Sequence, residues 1–307
     1  MRKLPTSPAI AHQNHSIMKY ALLFLSVLLA AFAGMAQTGS EIYLFDLSVK
    51  KEKISMENPV NITNHPGYDN QPSFHPDQPI IYYSSFDAEG RADIRSYNYK
   101  TKASLDVTKT PEREYSPTVT PDQGHLSCII QRDNNAQDLG KYTLDGKEPT
   151  VIIDNLTVGY HVWADNSHLA LFVLGTPNTL HYLRLPTQSD TIVAEGIGRS
   201  LHKVPGEPAI SFVHKISNTL WMIKKLNTHT MTVSDVTPTI QDREDLCWLP
   251  DGRILMSDGT KLYFITPGQE TPWKEVRISK PMPALKGITR LAISTDGKKL
   301  AVVVSEN

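Results

Sequence analysis

The stretch "QPSFHPDQPIIYYS" (71–84) returns five more times in altered form: "SPTVTPDQGHLSCI" (116–129), "GYHVWADNSHLALF" (159–172), "SLHKVPGEPAISFV" (200–213), "DLCWLPDGRILMSD" (245–258) and "RLAISTDGKKLAVV" (290–303). Anchored on Asp77, Asp122, Asp165, Gly206, Asp251 and Asp296, the copies follow one another at intervals of 45, 43, 41, 45 and 45 residues. Each reads as a half-apolar strand, a tight turn, and a second strand rich in β-branched and aromatic residues. The turn residues suit a hairpin: Pro presets φ, Asp bonds the backbone two residues ahead, and Gly124, Gly252 or Gly297 supplies a positive φ.

Between the hairpins lies a second strand pair in each unit. The pairs are "DIRSYNY" with "SLDVTKT", "LGKYTL" with "PTVIID", "TLHYLRL" with "DTIVAEG", "TLWMIKK" with "MTVSDVT", and "KLYFITP" with "WKEVRIS". Beyond the N-terminal apolar run, no amphipathic helical pattern of about ten residues is present. Four strands per unit of this length are the mark of an all-β, six-bladed β-propeller made of four-stranded antiparallel blades. The sixth copy ends two strands short at Asn307, while "EIYLFDLSVKKEKISMENPVNIT" (41–63) reads as an outer strand pair with no inner pair before it. Both ends are satisfied if the N-terminal strands complete the C-terminal blade, which also removes two open strand edges.

Pro72 with Pro76-Asp77, Pro117 with Pro121-Asp122, Pro250-Asp251-Gly252 and Asp296-Gly297-Lys298 resemble the repeats of TolB-type propellers. These are PD-repeats, related to the WD-repeat propellers. The resemblance spans 41–307, with degenerate third and fourth units. It implies the fold; periplasmic binding proteins, prolyl oligopeptidase propellers, lactonases and pectin-degrading lyases share it, so it does not select a function. His75-Pro76-Asp77 also matches the signature loop of J-domain co-chaperones. Five of the six copies lack the His and the helical J-domain context is absent, so the tripeptide reads as a turn, with a capping or surface role for His75.

Met18-Lys19, the apolar run 20–32 and the small residues up to Ala36 have the order of a secretory signal peptide cleaved after Ala36. The run is shorter than the roughly 20 residues of a membrane-spanning helix. Residues 1–17 read as an extension upstream of a start at Met18, and 37–307 as one propeller, periplasmic or extracellular, with no stable membrane span after cleavage. With 31 basic and 32 acidic residues interspersed, there is no electrostatic case for nucleic acid or an anionic membrane. Cys128 and Cys247 fall in the second and fifth units, on opposite sides of the ring, too far apart for a disulfide; both are expected as buried free thiols.

Propellers bind ligands where the innermost strands begin. Counting back seven and six residues from each anchor gives Asn70/Gln71, Tyr115/Ser116, Val158/Gly159, Arg199/Ser200, Glu244/Asp245 and Thr289/Arg290, with His161 and His202 four residues before theirs. Arg199, His202, Glu244, Asp245, Arg290 and His161 are therefore the candidate site. They read as a site for a carbohydrate, a peptide carboxylate or a divalent metal, or else as charges that pair between neighbouring blades. Trp163 and Trp248 share the slot of Phe74 and Val119 and are expected in the core, while Trp221 and Trp273 sit on outer pairs. There is no Gly-x-Ser-x-Gly elbow, His-Glu-x-x-His, Cys-x-x-Cys or calcium loop.

The expected function is that of an exported, non-catalytic propeller binding a protein or envelope component through a rim of the ring. The alternative is a metal-assisted hydrolase or lyase acting on a sugar or lactone through Glu244, Asp245 and His202. N-terminal sequencing of the exported protein tests the leader assignment: the expected first residue is Gln37, and retention of the 20–32 run would refute cleavage.

Overall fold

The computed structural model describes residues 39–306, with 52, 270, 280, 281, 283 and 284 excepted; the extension expected over 1–17 and the leader expected over 18–36 lie outside the described residues. The chain from Thr38 onward forms one compact unit. Each repeat folds into an antiparallel sheet whose innermost strands are Asp69–Phe74, Arg113–Val119, Val158–Trp163, Ile197–Lys203, Leu246–Trp248 and Leu291–Ile293. Each innermost strand touches the next, and the sixth touches the first, closing a six-bladed ring around a channel. Among the described residues, no helix is long and apolar enough to cross a membrane.

The burial pattern explains the strand chemistry. Second strands such as His125–Gln131, His168–Val173 and Lys299–Ser305 are buried on both faces, because a blade packs against each side; their interiors are accordingly apolar, with Ser127 as the one polar residue inside these three. Outermost strands such as Ala103–Asp106 and Ser189–Glu195 are mostly exposed and mix polar with apolar residues. The buried apolar side chains among the described residues form six clusters, one at each seam between neighbouring blades. Trp163 and Trp248 join two of these clusters, as the sequence suggested. Each indole donates to a serine on the preceding blade, Trp163 to Ser127 at 2.9 Å and Trp248 to Ser211 at 2.8 Å. Cys128 and Cys247 are buried free thiols at different seams, and burial pushes the Cys247 pKa up to about 12.

The expected closure is present. Strand Ser40–Lys50 pairs antiparallel with Lys299–Ser305, from Ser40 opposite Ser305 to Asp46 opposite Lys299, and on its other side with Lys53–Asn61. One element differs from expectation: 273–279 does not form a single outer strand. Lys274–Glu275 completes the fifth blade, whereas Arg277–Ile278 adds a parallel strand to the outer edge of the sixth. Val276, between them, is buried in the cluster joining the two blades, so the chain crosses the seam there.

The hairpin turns also carry a correction. Gly252 and Gly297 adopt positive φ (85° and 68°), but in the second blade the left-handed residue is Gln123 (φ 57°) rather than Gly124. In these three turns the left-handed residue directly follows the anchor Asp; Gly124 lies one residue further on, where its N–H donates to Asp122 Oδ1 at 3.0 Å. His75 is buried, not at the surface, and is a cap: its Nδ1 accepts the N–H groups of Asp77 and Gln78, each at 3.1 Å. Thr120 and Ser294 occupy the equivalent position and bond their own turns through their hydroxyls.

Asp69 sits at the closing seam, where Ser40 Oγ donates to its carbonyl at 2.8 Å. Its carboxylate is fully buried and neither oxygen receives a hydrogen bond of good geometry; His65 Nε2 is 3.4 Å from Oδ2. Burial raises its pKa from 3.8 to about 6, with Glu41 adding to the effect and Ser85, His65 and Arg95 opposing it. A raised carboxyl pKa means that the folded state holds the proton more tightly. This stabilisation is present below the unfolded pKa near 3.8 and is lost as pH rises through about 6. Asp69→Asn should therefore gain roughly 1 kcal/mol relative to wild type between about pH 5 and about pH 7.5. Urea unfolding at the two pH values checks this, and a pH-independent difference would refute it.

Candidate functional site at the channel mouth

All six innermost strands contribute to the channel, a cavity of about 360 Å³ open to solvent. Four of these strands shift register against their neighbours near their starts, between Asn70 and Ser73, Tyr115 and Thr118, Val158 and Tyr160, and Ile197 and Leu201. Such bulges re-aim side chains next to a functional opening. Gln71 and Ser116 take left-handed φ values (56° and 55°) at equivalent positions. Their strain is compensated by a bond across the seam, Ser116 N–H to Gln71 Oε1 at 2.9 Å, while Ser84 Oγ donates to the same oxygen at 3.0 Å.

Of the six candidate residues, Arg199, His202, Asp245, Arg290 and His161 line the channel; Glu244 does not. Arg199 makes a forked bond to Asp245, Nε to Oδ1 at 3.0 Å and Nη2 to Oδ2 at 2.6 Å. Burial works against the Arg199 charge, but the Asp245 carboxylate outweighs it and raises the guanidinium pKa above its ordinary value. Glu244 lies behind this pair: its Oε2 is 3.0 Å from Lys215 Nζ and accepts the Arg199 backbone N–H at 3.1 Å. A Cβ at Gly198 would stand 2.6 Å from that oxygen, so this close approach requires the glycine. The cross-blade ion pairing that the sequence left open is thus present between the fourth and fifth blades.

The imidazoles lie deeper. Burial lowers the pKa of both His161 and His202 to about 4, so both rings are neutral at neutral pH. Ser127 Oγ donates to the Thr118 carbonyl at 3.0 Å and accepts from Trp163, so its 2.8 Å contact with His161 Nε2 uses a proton on the imidazole. His161 Nδ1 is then an acceptor, and it is buried without a partner. His202 Nε2 lies 2.9 Å from Ser200 Oγ, which accepts the Leu246 N–H across the next seam at 3.2 Å.

Sequence counting missed Tyr160. The bulge in the third blade brings it to the mouth, and Arg290 donates to its hydroxyl while stacking its guanidinium carbon 5.3 Å from the ring centroid. Arg290 also donates to Asn70 Oδ1 at 3.2 Å. Since Arg290 begins the sixth blade and Tyr160 belongs to the third, this contact spans the channel between opposite blades. Lys215 was missed as well; it lies on a second strand, and no count from the turn anchors reaches it.

A divalent metal at the mouth would need several free His, Cys, Asp or Glu donors together. Among the described residues no group of three such side chains could hold a metal ion, and both mouth carboxylates are engaged by cations. The residues present do not fit the metal site considered from the sequence.

No family model matches the chain, and no curated relative matches it. Solved structures do. A putative TolB from Agrobacterium tumefaciens superposes with a TM-score of 0.66 at 12% identity, covering 88% of this chain and 99% of that one. TolB from Acinetobacter baumannii gives a TM-score of 0.55 at 15% identity, covering 95% of this chain and 70% of that one. An oligogalacturonate lyase in complex with manganese gives 0.56 at 16% identity, with 83% of each chain covered. At these identities the likeness shows the fold alone: this chain has a six-bladed β-propeller fold similar to that of the TolB structures.

Proposed function

We propose that the protein is an exported, non-catalytic propeller that binds a protein or another envelope component through the rim around the channel mouth. The observation that carries this reading is the state of the mouth carboxylates. Asp245 is held by Arg199 and Glu244 by Lys215, which makes a fixed recognition surface in place of a free acid and base. The loops between second and third strands open on the same face, since each second strand runs back towards the start of the innermost one. On that face Leu174 and Ile216 with Leu220, from the third and fourth blades, expose large apolar side chains. The TolB-like fold and the leader-like sequence at 18–36 agree with the reading.

The alternative, a lyase or hydrolase, draws on the manganese-bound lyase among the structural neighbours. Its chemistry would have to use Glu244, Asp245 and His202. Two of these are salt-bridged, and the third has a pKa near 4, too low for an efficient base at neutral pH.

The two readings separate in a paired experiment on the mature protein. An affinity pull-down from an envelope fraction compares wild type with Leu220→Asp on the mouth face and Lys298→Glu in a turn on the opposite face. The expected result is a retained species that wild type and Lys298→Glu share and that Leu220→Asp loses by about tenfold or more. A stoichiometric bound metal, with sugar or lactone turnover lost in Glu244→Ala, would overturn the binding reading.

A further inference from the structure

Arg290 differs from the other cations of the mouth. Arg199 and Lys215 each face a carboxylate, whereas Arg290 has no Asp or Glu within ion-pairing distance among the described residues. Its partners are neutral, the Asn70 amide and the Tyr160 phenol. A guanidinium has five N–H donors in a planar fork suited to a carboxylate, and these two bonds leave most of them unused. Asp245 is the only acid among the described residues that lines the channel, and Arg199 already occupies both of its oxygens. Beyond the mouth the lining is neutral at Ser73, Thr118, His161 and His202 and carries one further cation, the exposed Lys203 at the turn end of its strand, which adds to the positive balance. The mouth is therefore left with one uncompensated positive charge, that of Arg290, partly withdrawn from water and laid across the opening.

We propose that the channel mouth takes a ligand carboxylate, and that Arg290 exchanges the Tyr160 phenol for it. The proposal rests on the mouth being the binding face and names the chemistry of what enters. A carboxylate brings a full opposite charge and two oxygens that match the guanidinium fork, whereas the phenol offers one neutral acceptor, so the carboxylate outcompetes it. Because Arg290 and Tyr160 come from opposite blades, their contact lies over the approach to the cavity, and the exchange clears that approach as it binds the ligand. A cavity of about 360 Å³ lies within the range of small-ligand pockets, so the carboxylate enters on a small acid or at the end of a narrow chain.

The carboxylate can belong to a peptide C-terminus or to an acidic sugar, and the test distinguishes them. The purified chain is titrated by calorimetry with an N-acetylated tripeptide, its C-terminal amide, galacturonate and galacturonate methyl ester. At least one free acid is expected to bind, with its neutral derivative weaker by about tenfold or more; the acid that binds assigns the source. Arg290→Gln should abolish the preference and Arg290→Lys retain part of it. Tyr160→Phe keeps the ring but removes the competing hydroxyl, and should tighten binding of the acid alone by a few fold. Thermal unfolding of each variant accompanies the titrations, and the comparison of acid with neutral derivative on wild type needs no variant.

Failure of both acids to bind at about 10 mM would overturn the proposal. So would equal binding of acid and neutral derivative, a preference that survives Arg290→Gln, or an affinity unchanged by Tyr160→Phe. None of these titrations needs a macromolecular partner, so a failed pull-down and a failed titration are separate results.

Discussion

The ring exists because two segments from opposite ends of the chain pair as neighbouring strands, Ser40–Lys50 against Lys299–Ser305. This ladder completes the sixth blade and allows its innermost strand to stand beside that of the first. The consequences reach the channel directly. Arg290 meets Asn70 only because the closing seam brings the sixth and first blades together. The buried Asp69 carboxylate sits at the same seam, so closure includes an electrostatic penalty in the place where the structure most needs cohesion. Apolar packing outweighs it: Ile42, Leu44, Ile81, Tyr83 and Val303 form a cluster across the seam, and fully burying side chains of this kind contributes about 1.5–3 kcal/mol each.

The mouth is ordered by charge neutralisation. Two carboxylates and two cations form one connected network across the seam between the fourth and fifth blades, and the backbone N–H of Arg199 belongs to it. Networks of this kind hold side chains in one arrangement, and their members are poorly placed to exchange protons with a substrate. The imidazoles below are kept neutral by burial, so the cavity changes its charge little across the physiological pH range.

The architecture was legible in the sequence because it follows from periodicity and turn chemistry, both local. The copies anchored from Asp77 to Asp296 gave the blade number, and the two incomplete ends gave the closure. The placement of Arg199, Asp245 and Arg290 followed from counting residues, since their strands start where the repeat says they should. What escaped depends on irregularity. Tyr160 reaches the mouth through a bulge, which a fixed count cannot register. Glu244 was expected to face the channel, but the space left by Gly198 lets it turn towards Lys215. The split of 273–279 between two blades depends on burying Val276 at a seam, a tertiary demand that leaves no mark on strand alternation. His75 was singled out by its neighbours and proved to be a turn cap, a role that Thr120 and Ser294 fill with hydroxyls in other blades.

The closing ladder also has a history in time. The strand Ser40–Lys50 is made before the five blades that separate it in sequence from its partner Lys299–Ser305, so one edge of the early strand stays unpaired while the intervening blades are built. During that interval Ile42, Leu44 and Phe45, all buried in the finished ring, lack the partners that cover them. Long-range pairing of this kind slows folding and leaves an edge open to wrong partners. Blades one to five can each assemble from local hairpins, whereas the sixth waits for Lys299–Ser305. The pairing of greatest sequence separation is therefore the one that closes the ring around the mouth.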